Sequence, residues 1–172
     1  MEILCDKIIK FKNIIDTELW IDLIENVSNT SYPFQEVIRR PHLTMELPIV
    51  FDNKDNYDSI KLRHMIYSIA TPCFMEYMKQ YNNFDVRQFK NYITVSKLLN
   101  DRFMSSHIDN EKSKHIIGML YINDDYEGGE LFFKTLNFSY KPQSGDFIIY
   151  PGSIQHEVTK INGNPRYTAG FA

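Results

Sequence analysis

The chain has only two cysteines, Cys5 and Cys73, and no Cys-x-x-Cys pair. That permits at most one disulfide and excludes a cysteine-rich zinc site; both thiols read as reduced and buried, in a reducing compartment. A long basic run is missing and the net charge is −3, so no electrostatic footprint for nucleic acid exists. No apolar stretch is long enough to span a bilayer. The opening residues, Met-Glu-Ile-Leu-Cys-Asp-Lys, break their apolar run with charge, which argues against a signal peptide or an anchor. The expectation is a cytoplasmic protein with neither membrane nor nucleic-acid partners. Internal repeats and low-complexity tracts are also absent. What remains is an ordinary globular composition, 43% hydrophobic, 14% aromatic and 24% charged over 172 residues. That length suits one domain with a sizeable core and is short for two.

Taken in order, Lys7 to Ile15 reads as a strand or extended entry. Asp16 is a good N-cap and Glu18 adds favourable first-turn charge, so a helix follows, with Leu19, Trp20, Leu23, Ile24 and Val27 on its apolar face. Short strands are expected near Gln35 to Arg39 and Glu46 to Phe51. Arg39, Arg40 and His42 read as solvated loop residues, with substrate contact as the alternative. Ser59 is expected to cap a second helix from Ile60 to about Tyr81, kinked or divided at Pro72. His64 reads as a surface residue of that helix. From residue 85 the period becomes strand-like, with segments at Gln88 to Leu99, Phe103 to Asp109, His115 to Ile122, Glu130 to Lys134, Phe138 to Lys141, Asp146 to Tyr150, Ile154 to Lys160 and Arg166 to Phe171. Many short strands separated by turn residues predict a sandwich or barrel. Residues 1–84 then supply helical and extended support, and residues 85–172 a catalytic β-core, within a single domain spanning 1–172.

The chemistry concentrates in His107, Asp109 and His156. Residues i and i+2 of a strand project from one face, so His107 and Asp109 can reach one ion without a bend. His156 joins them if the sheet folds back. Two His and one carboxylate on one face of an octahedral metal leave three positions open, the arrangement of non-haem Fe(II) oxygenases. Arg166 and Thr168, again two apart, can point at the same interior and hold an anion. His115 reads as a residue beside the triad or on a strand surface rather than a ligand. Gly128-Gly129 is followed by no P-loop lysine and reads as a turn needing positive φ. Asp124, Asp125 and Glu127 read as a solvated acidic turn.

The ordered set His107-Ile-Asp109, Tyr121-Ile-Asn, Tyr126-Glu-Gly-Gly-Glu-Leu-Phe-Phe133, Lys141-Pro-Gln-Ser-Gly-Asp-Phe147, Tyr150-Pro151, His156-Glu-Val158 and Arg166-Tyr-Thr168 resembles the 2-oxoglutarate/Fe(II) oxygenases, and within them the prolyl 4-hydroxylase-like group. The resemblance covers roughly Gln88 to Ala172. It implies a double-stranded β-helix (a jelly-roll or cupin-like barrel) with the N-terminal helices packed outside. It implies Fe(II) held by His107, Asp109 and His156, and 2-oxoglutarate as co-substrate with its distal carboxylate on Arg166. Tyr121 matches a tyrosine that hydrogen-bonds that carboxylate, and Thr168 a hydroxyl used so in other branches. Relatives often carry a Tyr-x-x-Gly-like pattern before the first ligand, where this chain has Lys97-Leu98-Leu99-Asn100-Asp101. Leu98 cannot hydrogen-bond, and Tyr92 or Ser96 on the same strand are the candidates to compensate.

The implied activity is O2-dependent hydroxylation, most naturally of a prolyl residue in a peptide or protein, with release of succinate and CO2 and with ascorbate as a possible reductant. Alternatives are the same chemistry on a free amino acid or other small molecule, and a cupin-like metal-binding module without turnover. The base-demethylating branch carries a second arginine after the co-substrate arginine, and the residues after Arg166 hold none. A zinc hydrolase on the same ligands is disfavoured because Zn²⁺ prefers tetrahedral sites. Oligomeric state is not legible.

Overall fold

The computed structural model describes residues 1–36, 42–48, 52–81, 92–109 and 115–171. Helix α1 spans Thr17–Thr30. As expected, Asp16 caps it, its carboxylate accepting the Leu19 N–H at 3.1 Å. Trp20, Leu23, Ile24 and Val27 form its buried face. Helix α2 spans Tyr57–Gln80 and starts earlier than the pattern suggests. Its N-cap is Asn56, and Ser59 is the third helical residue, reciprocating in a capping box. The helix also runs through Pro72 undivided. Pro72 lies on the exposed side, and the buried residues around it, Ile66, Ala70, Cys73, Phe74 and Tyr77, keep one packed stripe. His64 is exposed, as expected.

The strands are β1 Glu2–Cys5, β2 Ile8–Lys12, β3 Gln35–Glu36, β4 His42–Pro48, β5 Tyr92–Leu98, β6 Met104–His107, β7 Ile116–Tyr121, β8 Tyr126–Gly128, β9 Leu131–Phe133, β10 Phe138–Tyr140, β11 Asp146–Pro151, β12 His156–Val158, β13 Ile161–Gly163 and β14 Arg166–Phe171. They form an eight-stranded sheet in the order β1-β2-β11-β7-β14-β5-β4-β3, a four-stranded sheet β10-β9-β12-β6, and a β13-β8 pair. The large and small sheets face each other as the double-stranded β-helix that the motifs imply. β4 begins earlier than the strand expected at Glu46 to Phe51, of which residues 49–51 fall outside the described residues, and His42, expected in a solvated loop, is buried within it. Arg39, Arg40, and the start of the strand expected from Gln88 fall outside the described residues.

Alternation along the strands divides the interior in two. Odd-numbered Tyr167, Ala169 and Phe171 of β14 join Val95, Leu120 and Phe147 in a core shared with both helices. Phe74 of α2 meets Phe147 and Phe171 edge-on, with centroids 5.5 and 5.8 Å apart. The opposite face carries Leu98, Ile117, Tyr121, Ile148 and Tyr150, which pack against Leu131, Phe133 and Val158 of the small sheet. Directly paired residues share a face. The pairings Arg166 with Leu98, and Thr168 with both Ser96 and Tyr121, therefore put the even-numbered residues of β14 inside the barrel.

Candidate metal centre and anion pocket

His107 ends β6 and His156 begins β12, and the two are directly paired across the strands. The register of this pair shifts between His156, opposite His107, and Val158, opposite Met104. Asp109 lies just past the strand, where its N–H donates to Gly152 O at 3.1 Å, while the Gly152 N–H donates to His115 O at 2.9 Å. The Pro151-Gly152 turn thus holds Asp109 in place, and His115 contributes its backbone carbonyl to that arrangement.

One ligand atom from each of His107, Asp109 and His156 lies within 4.8 Å of the others. The carboxylate bridges the imidazoles, Oδ1 at 3.5 Å from His107 Nε2 and Oδ2 at 3.4 Å from His156 Nε2. His107 Nδ1 lies 2.8 Å from Ser105 O and His156 Nδ1 3.0 Å from Ile154 O. In both cases the acceptor is the carbonyl two residues back, which places the proton on Nδ1 and turns the Nε2 lone pair toward the carboxylate. The donor set therefore fits a divalent metal. Burial pushes the His156 pKa down, against the attraction of Asp109, which favours the neutral form that ligates. Sequence reasoning named these three candidate ligands and could not name the carbonyls that set their tautomers.

Arg166 is 5% exposed and lies inside the barrel. Its guanidinium carbon sits 5.2 Å from the centre of the Tyr121 ring, and Nη1 donates a long bond of 3.4 Å to Gly129 O. Its Nε has no hydrogen-bond partner among the described residues. A buried cation with an unspent donor beside a buried phenol is suited to a carboxylate. Thr168 is beside this pair, directly opposite Tyr121. The structure thus groups Arg166, Tyr121 and Thr168 on one face. Tyr92 shares that face but lies at the other end of β5, opposite Pro48, whereas Arg166 is opposite Leu98. Ser96 is closer, level with Thr168.

Two residues of the pocket were quoted in the motifs without a role. Tyr150 is buried, and its hydroxyl is 3.2 Å from His156 Nε2. Lys141 donates to the carbonyls of Tyr126, at 3.0 Å, and Gly128, and lies 3.9 Å from the centre of the Tyr126 ring. Gly128 and Gly129 both have φ of +67°, as the turn reading requires. A Cβ on Gly128 would meet Lys160 O at 1.9 Å. Asp124, Asp125 and Glu127 are exposed, as expected of an acidic turn, and the turn is held by Asp125 accepting from Asn123 and Asn164 at 2.6 and 2.8 Å and by Asp124 accepting from the Ser144 N–H at 3.1 Å.

The chain is similar in sequence to PKHD-type hydroxylases and in fold to solved 2-oxoglutarate/Fe(II) oxygenases, prolyl hydroxylases among them. No protein-family model matches it. It is 29% identical over 125 residues to a PKHD-type hydroxylase of Prochlorococcus marinus, covering 67% of this chain and 53% of that protein. The chain therefore spans about half the length of the curated relatives it matches. Its fold is similar to that of the viral collagen prolyl hydroxylase of Paramecium Bursaria Chlorella virus-1, at 14% identity and a TM-score of 0.65 over 96% of this chain and 94% of that one. It is also similar to a prolyl hydroxylase of Trichoplax adhaerens in complex with a hypoxia inducible factor peptide fragment, at 13% identity and a TM-score of 0.67 over 96% and 82%. No helix among the described residues is long and apolar enough to cross a membrane.

Proposed function

We propose that this chain is an Fe(II)- and 2-oxoglutarate-dependent dioxygenase that hydroxylates a prolyl residue of a peptide or protein. The observation that carries the reading is the convergence of His107, Asp109 and His156 within 4.8 Å, inside the barrel that also buries Arg166. Two neutral imidazoles and one carboxylate would hold the iron by one face. With 2-oxoglutarate and dioxygen, that iron supplies oxidising power for an unactivated C–H bond, with succinate and CO2 as by-products. The chain's own part is to bind and orient. Ser105 O and Ile154 O keep the imidazole protons away from the metal side. Arg166 and Tyr121 fix the distal carboxylate, with Thr168 beside them. Phe133 and Tyr150 flank His156, with ring centroids 6.0 and 5.0 Å away, and keep that wall dry.

The peptide substrate is supported by the neighbours in fold, among them a prolyl hydroxylase with a bound peptide fragment. The same chemistry on a free amino acid or small molecule is the second reading; a cupin-like binding module has no use for a buried arginine aimed at an anion. Both cysteines are free thiols, in keeping with a reducing, cytoplasmic setting, and ascorbate would serve as the reductant. The test is incubation of the purified protein with Fe(II), 2-oxoglutarate and a panel of proline-containing peptides. Succinate release coupled to a gain of one oxygen on proline is expected. Succinate release coupled instead to oxidation of an amino acid would support the second reading, and no 2-oxoglutarate turnover on any substrate would overturn both.

A further inference from the structure

Tyr126 has no role in the reading above, yet its environment is costly unless something completes it. The residue is 6% exposed, and its hydroxyl has no hydrogen-bond partner among the described residues. A buried phenol without an acceptor or donor is unfavourable, and such groups are rare in folded proteins. Its position is set by the Gly128–Gly129 turn. A Cβ on Gly129 would meet Tyr126 Cε2, the ring carbon beside the one bearing the hydroxyl, at 2.7 Å. The carbonyl of the same Gly129 receives Nη1 of Arg166. Gly129 therefore lies against both the phenol edge and the guanidinium. The second orphaned donor in this neighbourhood is Nε of that same arginine.

The charges around the ring point the same way. The Lys141 ammonium lies 3.9 Å from the centre of the ring, and the Arg166 charge is near enough to act on the phenol. Burial and then the nearby Arg166 charge push the Lys141 pKa down, with Glu130, Asp124 and Glu127 opposing. Burial likewise pushes the Tyr126 pKa up, so the hydroxyl keeps its proton and acts as a neutral donor at physiological pH. A guanidinium, a phenolic O–H and an ammonium behind the ring make a cradle for one carboxylate.

We propose that Tyr126 is a further co-substrate-binding residue, its hydroxyl donating to the distal carboxylate held by Arg166, with Lys141 and the Gly128–Gly129 turn as its positioning elements. The inference rests on the 2-oxoglutarate reading of the site and adds a contact that the sequence motifs leave without a role.

The experiment compares the full chain with its Tyr126→Phe variant, each loaded anaerobically with Mn(II), by calorimetric titration with 2-oxoglutarate and with pyruvate. Pyruvate keeps the keto acid and lacks the distal carboxylate. Loss of one hydrogen bond to a charged group should weaken 2-oxoglutarate binding by about tenfold or more. Pyruvate binding should not change, and the melting temperature without ligand should hold or rise, because an unsatisfied hydroxyl has been removed. Equal 2-oxoglutarate affinity in the two proteins would overturn the inference alone. So would parallel losses for both ligands with a lower melting temperature, which would mark the hydroxyl as structural. Failure of the wild-type protein to bind 2-oxoglutarate would sink the functional reading and this inference with it.

Discussion

His107 and His156 face one another across the antiparallel β6–β12 pair, ring centroids 4.4 Å apart, each with Nδ1 tied to the carbonyl two residues before it. The tie makes both rings ligands in waiting rather than a stacked pair. Replacing His107 or His156 by Ala removes one of three donors, and metal uptake, followed by elemental analysis after dialysis against Fe(II), should be lost. The fold should persist, because the β6–β12 pairing uses backbone groups and the variants remove only side chains. A variant that takes up metal at the wild-type level would refute the assignment.

Arg166 is the residue for which a conservative change should be least tolerated. Arg166→Lys keeps the charge but gives up the planar fork and shortens the reach to the pocket. The half-saturating 2-oxoglutarate concentration should rise by about ten- to a hundredfold, as for loss of a charge-assisted bidentate pair. Metal uptake should be unchanged, and that separates this site from the ligand cluster.

Far from the metal, Arg63 and Asp55 form an ion pair at 2.6 Å with side chains 3% and 5% exposed. Arg63→Ala leaves the carboxylate buried and unpaired, which costs about 3–5 kcal/mol. At roughly 2–4 °C per kcal/mol for a chain of this size, the melting temperature should fall by about 6–20 °C. A fall of under a degree would mean that Asp55 finds other partners without loss.

The same carboxylate sets an acid limit. Burial raises the Asp55 pKa, but hydrogen bonds from Arg63, the Asp52 N–H, Tyr32 and Ser59 outweigh it and hold the pKa at about 2, against 3.8 for an ordinary aspartate. The unfolded chain takes up this proton first. The stabilisation is therefore fully present above about pH 4 and is lost as pH falls toward 2. Denaturant titrations should show stability falling across that window in the wild type. The slope should be shallower in Asp55→Asn, and equal slopes would contradict the assignment.

At Gly118 the Phe74 ring of α2 packs directly on the β7 backbone. An added methyl would lie 2.2 Å from Phe74 Cζ and 2.8 Å from Phe147 Cζ. Gly118→Ala should cost about 1–3 kcal/mol by overpacking, read as a lower denaturation midpoint with an unchanged slope. No loss would show that α2 can move away from the strand freely.

Much of this was legible in the residue pattern. The i, i+2 spacing of His107 and Asp109, the ordered turns that follow, and the alternation of β14 carry enough information to assemble the cluster. Asp16 could be read as a cap because its carboxylate bonds locally. Other features depend on contacts between distant segments. The Asn56 cap was hidden because Ser59 is an equally good cap by type, and only the reciprocal bond distinguishes them. Burial of His42 follows from β4 pairing with β5, a long-range event, and Pro72 is tolerated because α2 turns it toward solvent. Tyr126 and Lys141 stood in the quoted motifs but acquire a meaning only when β8, β14 and the Gly128–Gly129 turn are seen together.

β6 is an edge strand of its sheet and, among the described residues, pairs with β12 alone, through an irregular register. Two of the three donors lie on or just beyond this strand, while the third belongs to its neighbour, so an ion bound there would act as a clasp across this irregular seam. Amides of residues 104–107 should exchange with deuterium far more slowly after loading than after chelation, while β7 and β11 stay indifferent. Catalytic readiness and the mechanical integrity of this rim would then rise and fall together.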